Sequence, residues 1–504
     1  MPAIDQLDLK ARVAEILNRH PAVGFALGVV RNGAMDFHAH GVANVVSRRP
    51  VSEDTVFKIA SITKTFTAIA VMQLWEQGLV DLDAPANEYL RAYQLVPARE
   101  GWRPATLRHL LTHTAGIGEQ VPRSGVLRRD FGESVKVGHR VPSLAEYYRG
   151  RVPLDAEPGT MFRYGDHSPA TLGQIVEDVS GRSLARYLRE HVFDPLGMVD
   201  TTLTRAEVDR SRVATGYKLR SSGAKPVTDA DWVTVGAAGA YSTARDMGRY
   251  LAALLGGGRN EHGSVLEPPT LAGMFAANYQ PHPRIPGMGL AFWRRDAGGH
   301  LVVEHLGVMP GFNSQICVAP ADGVGVMAFT NGTHAGMMWL PVELSRLLDE
   351  VLGVPGAEVR DDIPQRPEIW GELCGWYYLP GPLTDTRIRA TVGAGVEVFV
   401  RRGELVLRFL TPLPALYRGF PLRPADEKDP YAFELDLDEF GLGIFPVVFS
   451  RDTATGDMAA HFEVMPLTVH KRPERTNPRR WAESAAAVAA SAVLVRRHRA
   501  RRAA

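Results

Sequence analysis

The feature that most constrains this chain is a segment after residue 61 that is apolar nearly all round. Phe66, Ile69, Val71, Met72, Leu74 and Trp75 fall on every face of a helix. A helix of that kind is buried between layers and does not lie on a surface. It is entered through Ser61-Ile62-Thr63-Lys64, and its apolar run, Ala68 to Val80, is stopped by Gly78. Residues three apart share a helix face, so the Ser61 hydroxyl and the Lys64 amine are expected to face one cavity. Burial disfavours charged lysine, and a neutral amine can take the proton of a serine hydroxyl. The start of a helix also favours negative charge developing on a nucleophile or a substrate oxygen. Taken alone, the four residues read equally well as a capping serine beside a solvated lysine.

The rest of the chain supplies layers for such a helix. Residues 5–18 carry Leu7, Val13, Ile16 and Leu17 at helical spacing, an amphipathic opening helix. Gly24–Val30 and Met35–Gly41 flank Asn32-Gly33, the strongest short hairpin signal. Phe312–Val318 and Val324–Thr330 flank Asp322-Gly323 in the same way, and Trp339–Leu352 follows as a helix. Between them, residues 85–235 alternate helical patches with loops: Thr106–Gly116 reads as a short helix stopped by glycine, Ser168-Pro169 as a helix start, and Ser183–Val192 as another helix. Strands thus come from both ends of one unit, residues 1–355, with a helical subdomain at roughly 85–235. The expected fold class is mixed α/β (α+β): an antiparallel sheet flanked by helices. Residues 356–370, with Pro364 and Pro367, read as a linker. Residues 371–474 contain short strand-like runs separated by turns, a small all-β barrel or sandwich. Residues 475–504 read as an Ala/Val-rich helix with a basic end, Arg496–Arg502.

Composition excludes several classes. The net charge of +1 over 504 residues gives no global field for nucleic acid. Two cysteines, Cys317 and Cys374, are too few for a disulfide framework, and Cys317 reads as a core thiol on an apolar strand. The first residues lack a basic-then-apolar leader pattern, and no apolar run is long enough to span a bilayer, so a cytoplasmic, soluble protein is expected. The basic end reads first as a solvated tail; contact with an anionic surface is the sharper alternative.

Three motifs follow one another: Ser61-Ile62-Thr63-Lys64; Tyr164-Gly165-Asp166 after Pro158-Gly159-Thr160-Met161-Phe162-Arg163; and His305-Leu306-Gly307 before Pro310-Gly311-Phe312. With Leu107–Gly116, Pro195-Leu196-Gly197-Met198 and Ser242–Met247, they make residues 10–352 resemble the penicillin-recognising serine hydrolases: class C β-lactamases, D-alanyl-D-alanine carboxypeptidases, D-aminopeptidases and related esterases. The resemblance implies that Ser61 is acylated, that Lys64 is its base or a proton relay, and that Tyr164 serves the leaving group and later the water. It implies an oxyanion hole made by the backbone N–H groups of Ser61 and Val308, with Gly307 letting its strand lie close to the substrate. No cofactor and no metal are implied. His109 and His113, four apart, have no third ligand nearby in the sequence and read as structural.

Two departures shape the expected chemistry. Asp166 stands where the family usually has asparagine; an ionised aspartate offers only acceptors and holds Lys64 charged, which shifts the base role to Tyr164. His305 stands where β-lactamases have lysine, and a neutral or half-charged imidazole is a poorer anchor for a β-lactam carboxylate. The expected activity is therefore hydrolysis of a small ester, amide or peptide substrate through an acyl-enzyme, more esterase or D-amino-acid peptidase than β-lactamase. A catalytically weak ligand-binding homologue is the alternative that Asp166 opens.

Overall fold

A computed structural model describes residues 8–119, 132–333 and 339–481, apart from positions 357, 383–384, 412, 441–442, 453–454 and 464. The helix and basic end expected beyond 481 lie outside the described residues. The chain divides into two compact units, Met1–Ala357 with Glu439–Gly443, and Glu358–Asp438 with Ile444–Ala504.

The first unit opens with α1 (Leu9–Arg19), capped by the Asp8 carboxylate, which accepts from the Ala11 N–H at 3.0 Å. Strands β1 (Gly24–Arg31) and β2 (Ala34–Asn44) form the hairpin around Asn32-Gly33, and β3 (Arg49–Pro50) completes that edge. From the far end of the unit come β4 (Trp293–Ala297), β5 (His300–Met309), β6 (Phe312–Ala319) and β7 (Val324–Thr330). All seven form one antiparallel sheet in the order β4-β5-β6-β7-β1-β2-β3. β1 and β7, from the two ends of the unit, pair from Phe25–Thr330 to Arg31–Val324.

Alternation along β1 divides its side chains between two cores. Phe25, Leu27 and Val29 pack with α1 and with the helix Trp339–Leu352, whose Leu340, Leu344, Leu347 and Leu348 are buried. Ala26 and Val30 face the second core, shared with α2 (Thr63–Glu76). Every residue of α2 from Thr63 to Leu74 is buried, as an all-round apolar pattern requires. Its Phe66 meets Phe193 edge-on at 5.1 Å and Tyr250 at 4.6 Å. Truncating a fully buried phenylalanine costs about 3–5 kcal/mol. α2 is shorter than its apolar run: it ends at Glu76, and Gly78 turns the chain at φ +69.

Between hairpin and sheet edge lies the helical region, which also holds small strand pairs, Gln94–Pro97 with Arg151–Leu154 and Ser134–Lys136 with Ala230–Trp232. Here two expected boundaries shift. α3 (Leu107–Leu111) ends five residues before Gly116, because His113 takes a left-handed φ of 57. α4 (His167–Ser180) begins before Ser168-Pro169, with Asp166 at the cap position making no capping bond. The Asp166 carboxylate is engaged elsewhere, as described below. α5 (Val235–Ala238) and α6 (Ala244–Leu255) complete the packing around α2 and the sheet.

The second unit contains a closed eight-stranded barrel: β8 (Gly375–Tyr378), β9 (Gly395–Arg401), β10 (Glu404–Phe409), β11 (Phe420–Pro424), β12 (Ala432–Asp436), β13 (Ile444–Arg451), β14 (Met458–Phe462) and β15 (Leu467–Arg472). Sequence patterning misses β11 and β15: two prolines bound β11, and Thr468, His470 and Lys471 dilute β15. Tyr377, Phe433 and Phe449 meet ring to ring within the barrel core, with centroids 5.7 Å apart. An eight-stranded barrel is just wide enough for side chains to fill it, and this one is filled. No described helix is long and apolar enough to cross a membrane.

Candidate active site

Ser61 does not open α2 itself. It sits in a tight turn, Ala60–Ile62, immediately before it. Ala60 is left-handed at φ 48, a conformation costing a non-glycine residue about 1–3 kcal/mol, which must be held by its surroundings. Three bonds hold it: Ile59 N–H donates to Ala240 O at 3.1 Å, Thr63 Oγ1 donates to Ala60 O at 2.6 Å, and Ser314 Oγ donates to Ile59 O at 2.8 Å. Ser61 is not a side-chain cap, so the competing structural reading of this serine fails.

Lys64 points to Ser61 as the spacing requires. Its Nζ donates to Ser61 Oγ at 2.8 Å, to Asp166 Oδ1 at 2.6 Å and to Ala237 O at 3.1 Å. Three acceptors use all three protons of an ammonium. Burial works against that charge, but the Asp166 carboxylate and the Tyr164 hydroxyl more than offset it and raise the lysine above its ordinary value. Burial alone would discharge Lys64; the carboxylate two residues after Tyr164 opposes it, in the direction its place in the sequence led us to expect. The Lys64 side chain is 0% exposed and that of Asp166 10%, so water screens this pair little.

Tyr164 lies beside the pair, with Lys64 Nζ 5.1 Å from its ring centroid. It is packed among aromatic rings: His113 at 4.6 Å, Trp293 at 5.6 Å and His305 at 6.3 Å. Among the described residues no hydrogen-bond partner meets its buried hydroxyl, His113 Nδ1 or His305 Nε2. The structure therefore gathers Ser61, Lys64, Tyr164, Asp166 and His305 from α2, the α4 entrance and β5.

His305 on β5 is wholly buried. Its Nδ1 lies 2.7 Å from the Leu306 carbonyl oxygen, so that nitrogen carries the proton and Nε2 is an acceptor. Burial, reinforced by the Lys64 charge, lowers its pKa to about 3. Of the two states expected for this residue, burial favours the neutral one. Burial, and then the Lys64 charge, push the His113 imidazole well down too. His109 belongs instead to α3: its Nδ1 accepts from Thr106 N–H at 3.2 Å while Thr106 Oγ1 accepts from His109 N–H at 3.2 Å. The helix ends before His113, so the four-residue spacing does not put both imidazoles on one face.

Within the fold Gly307 meets a need of its own, beside the approach to substrate expected of it. A Cβ there would overlap the Ile59 carbonyl oxygen and Ser314 Oγ. The glycine lets β5 lie against the turn that carries Ser61. Val308, next along, faces Asn313 across the β5–β6 ladder. Sequence reasoning missed Ala237, Trp293 and Ser314. Ala237 acts through its backbone and leaves no side-chain signal, and neither a buried serine in an apolar strand nor a half-buried tryptophan opening a charged one carries any without its neighbours.

The model of the beta-lactamase family matches residues 9–340, well over half of the chain. The chain belongs to the beta-lactamase family. It is 32% identical over 244 residues to a beta-lactamase from Yersinia enterocolitica; the match covers 47% of this chain and spans little more than half, 56%, of that relative. It is 29% identical over 374 residues to esterase EstB from Burkholderia gladioli, covering 66% of this chain and 93% of the esterase. The octameric penicillin-binding protein homologue from Pyrococcus abyssi has the same fold, with a TM-score of 0.58 at 23% identity over 92% of this chain and 100% of its own.

Proposed function

We propose that this chain hydrolyses a small ester or amide through an acyl-enzyme on Ser61. The observation that carries the reading is the 2.8 Å bond from Lys64 Nζ to Ser61 Oγ inside a buried ion pair with Asp166. An ammonium that already donates to the serine oxygen cannot take its proton. Lys64 therefore stabilises the alkoxide as it forms, and Tyr164 moves the proton. In acylation Tyr164 acts as its phenolate, having first given its own proton to solvent: the Ser61 oxygen bonds to the carbonyl carbon, the hydroxyl proton passes to the phenolate, and Tyr164 returns it to the departing alcohol or amine as the carbonyl–leaving-group bond breaks. In deacylation water takes the place of that leaving group. The backbone N–H groups of Ser61 and Val308 receive the oxyanion, each worth about 2.7–4 kcal/mol at the transition state.

The substrate class follows from the charges. The Asp166 carboxylate and His305 Nε2 both present acceptors. A neutral imidazole at 305 gives no cation to a β-lactam carboxylate, whereas an uncharged acyl group, or one bearing an amine, meets no repulsion. This favours ester chemistry, as named for esterase EstB, or amide chemistry over penicillin hydrolysis. The test is a panel of p-nitrophenyl esters, D-amino-acid amides, penicillins and cephalosporins against the wild type and Ser61→Ala. Ester or amide turnover that disappears with Ser61 supports the reading. No turnover of any member, with tight binding of one, would favour a ligand-binding homologue disabled by Asp166.

A further inference from the structure

We infer that Ser314 is a positioning residue for the oxyanion hole: its single hydroxyl proton is seated between the two carbonyl groups that orient the two N–H donors. The inference rests on the proposed roles of the Ser61 and Val308 N–H groups.

Ser314 lies on β6 opposite Gly307, 2% exposed. Its Oγ donates to Ile59 O at 2.8 Å and lies 3.3 Å from Gly307 O. These two carbonyls are not equivalent bystanders. Ile59 C=O belongs to the peptide that leads into Ala60, the left-handed residue immediately before Ser61. Rotation of that peptide changes the Ala60 conformation and with it the direction of the Ser61 N–H. Gly307 C=O and Val308 N–H belong to one peptide, and in a trans peptide they point in opposite directions. The β5–β6 hairpin is closed by the pair Met309–Phe312 across Pro310-Gly311. Alternation along an antiparallel ladder then turns Gly307 O toward β6 and the Val308 N–H away from it. On that outer side β4 pairs with β5 only as far as Glu304, so the donor is not consumed by a neighbouring strand.

One hydroxyl thus ties the turn bearing the first donor to the peptide bearing the second. The absent Cβ of Gly307 makes the contact possible, since any side chain there would overlap both Ile59 O and Ser314 Oγ. Without the hydroxyl, Gly307 O keeps its ladder bond from β6, but Ile59 O loses the donor that holds it. The freed Ile59–Ala60 peptide can then rotate, which misaims the Ser61 donor. An oxyanion donor acts on the transition state and not on the bound ester, so the loss falls on kcat.

The experiment uses the full chain and the best ester of the panel, with active sites counted by fluorophosphonate titration so that misfolded enzyme is not scored. Ser314→Ala is expected to lower kcat about 10- to 100-fold, somewhat less than outright loss of a donor, with KM within about 2-fold. Affinity for an alkyl boronic acid, which forms a tetrahedral anion on the serine, should fall by the same factor as kcat/KM. A merely structural serine would lower the melting temperature and the titrated fraction but leave kcat per site and boronate affinity unchanged, and that result overturns the inference. If the alanine variant does not accumulate, Ser314→Cys, with its weak S–H donor, carries the same measurements and the same two outcomes. Failure of the underlying reading is separate: it shows as labelling that survives Ser61→Ala, whereas failure of this inference shows as a normal Ser314→Ala in an enzyme that Ser61→Ala abolishes.

Discussion

Lys64 Nζ and Asp166 Oδ1 lie 2.6 Å apart, and both side chains are buried. Removing one partner of such a pair strands the other charge, at a cost of about 3–5 kcal/mol. Lys64→Met is therefore expected to lower urea-unfolding stability by that amount, and Lys64→Met with Asp166→Asn to recover much of it. Equal stability of the two variants would show that the pair is not coupled. The sign with pH follows from the raised lysine: its contribution is fully present below the ordinary lysine value and is lost as pH rises through the higher folded value.

Selectivity should follow His305. The wild type is expected to hydrolyse its best ester with a kcat/KM above that for any penicillin or cephalosporin. His305→Lys should move the ratio toward β-lactams, because it supplies the cation that the imidazole does not. A wild-type kcat/KM for a β-lactam exceeding that for the best ester would contradict the argument.

The same histidine makes an acid-stability prediction. A histidine unfolded in water takes a proton near pH 6.5, whereas His305 in the fold does so only at about 3. Below the first value the unfolded state binds the extra proton, so stability falls as pH drops from about 6.5 toward 3. His305→Gln should lose less stability than the wild type between pH 7 and pH 4, measured by urea unfolding at each pH. Parallel curves would place the acid sensitivity elsewhere.

Much of this was legible in the sequence because the signals were local. Asn32-Gly33 and Asp322-Gly323 mark two hairpins of the sheet, and the all-round apolar stretch marks α2 as central. Ser61 and Lys64 meet because three residues make nearly one helical turn. The charge on Lys64 was legible in part: Asp166 could be seen to oppose burial, and the structure shows the geometry by which it wins. What sequence could not supply comes from long-range placement. Nothing near Ser314 says that it faces residue 59, and nothing near Gly307 says that its missing side chain serves the Ser61 turn. The state of His305 depends on a bond to its own backbone and on a lysine from another element.

The stretch between the units gives a narrower expectation than its prolines alone. Val354 N–H still donates to Asp349 O at 2.8 Å, tying it to the helix Trp339–Leu352. Ile363 is buried, and Gln365 Nε2 donates to Leu422 O at 3.1 Å in the barrel. Trypsin should therefore nick first at exposed Arg360, giving fragments that end and begin there on mass spectrometry. First cuts before Gly353 or beyond Arg366 would show that this stretch is not the separable one.

Asp166 is the residue on which the chemistry turns. With the carboxylate in place, Lys64 keeps its proton, all three of its N–H bonds are used, and the Ser61 proton must leave through Tyr164. The site then has to lose a proton before it works well, and kcat/KM should rise toward alkaline pH. Asp166→Asn removes the charge that raises Lys64 and keeps an oxygen that can accept from it. It also adds an N–H that a substrate carbonyl can use. With the pair gone, burial is no longer offset, and Lys64 gives up its proton at lower pH. The acidic limb of the pH–rate profile should move down by a unit or more, about 1.4 kcal/mol for each unit. Amides should gain more than esters, because their leaving group must be protonated and their carbonyl needs more polarisation. The measurement is kcat/KM against pH for one ester and one D-amino-acid amide, wild type beside Asp166→Asn. Superimposable profiles would mean that Asp166 serves the packing of α2 against α4 and leaves the proton transfers untouched.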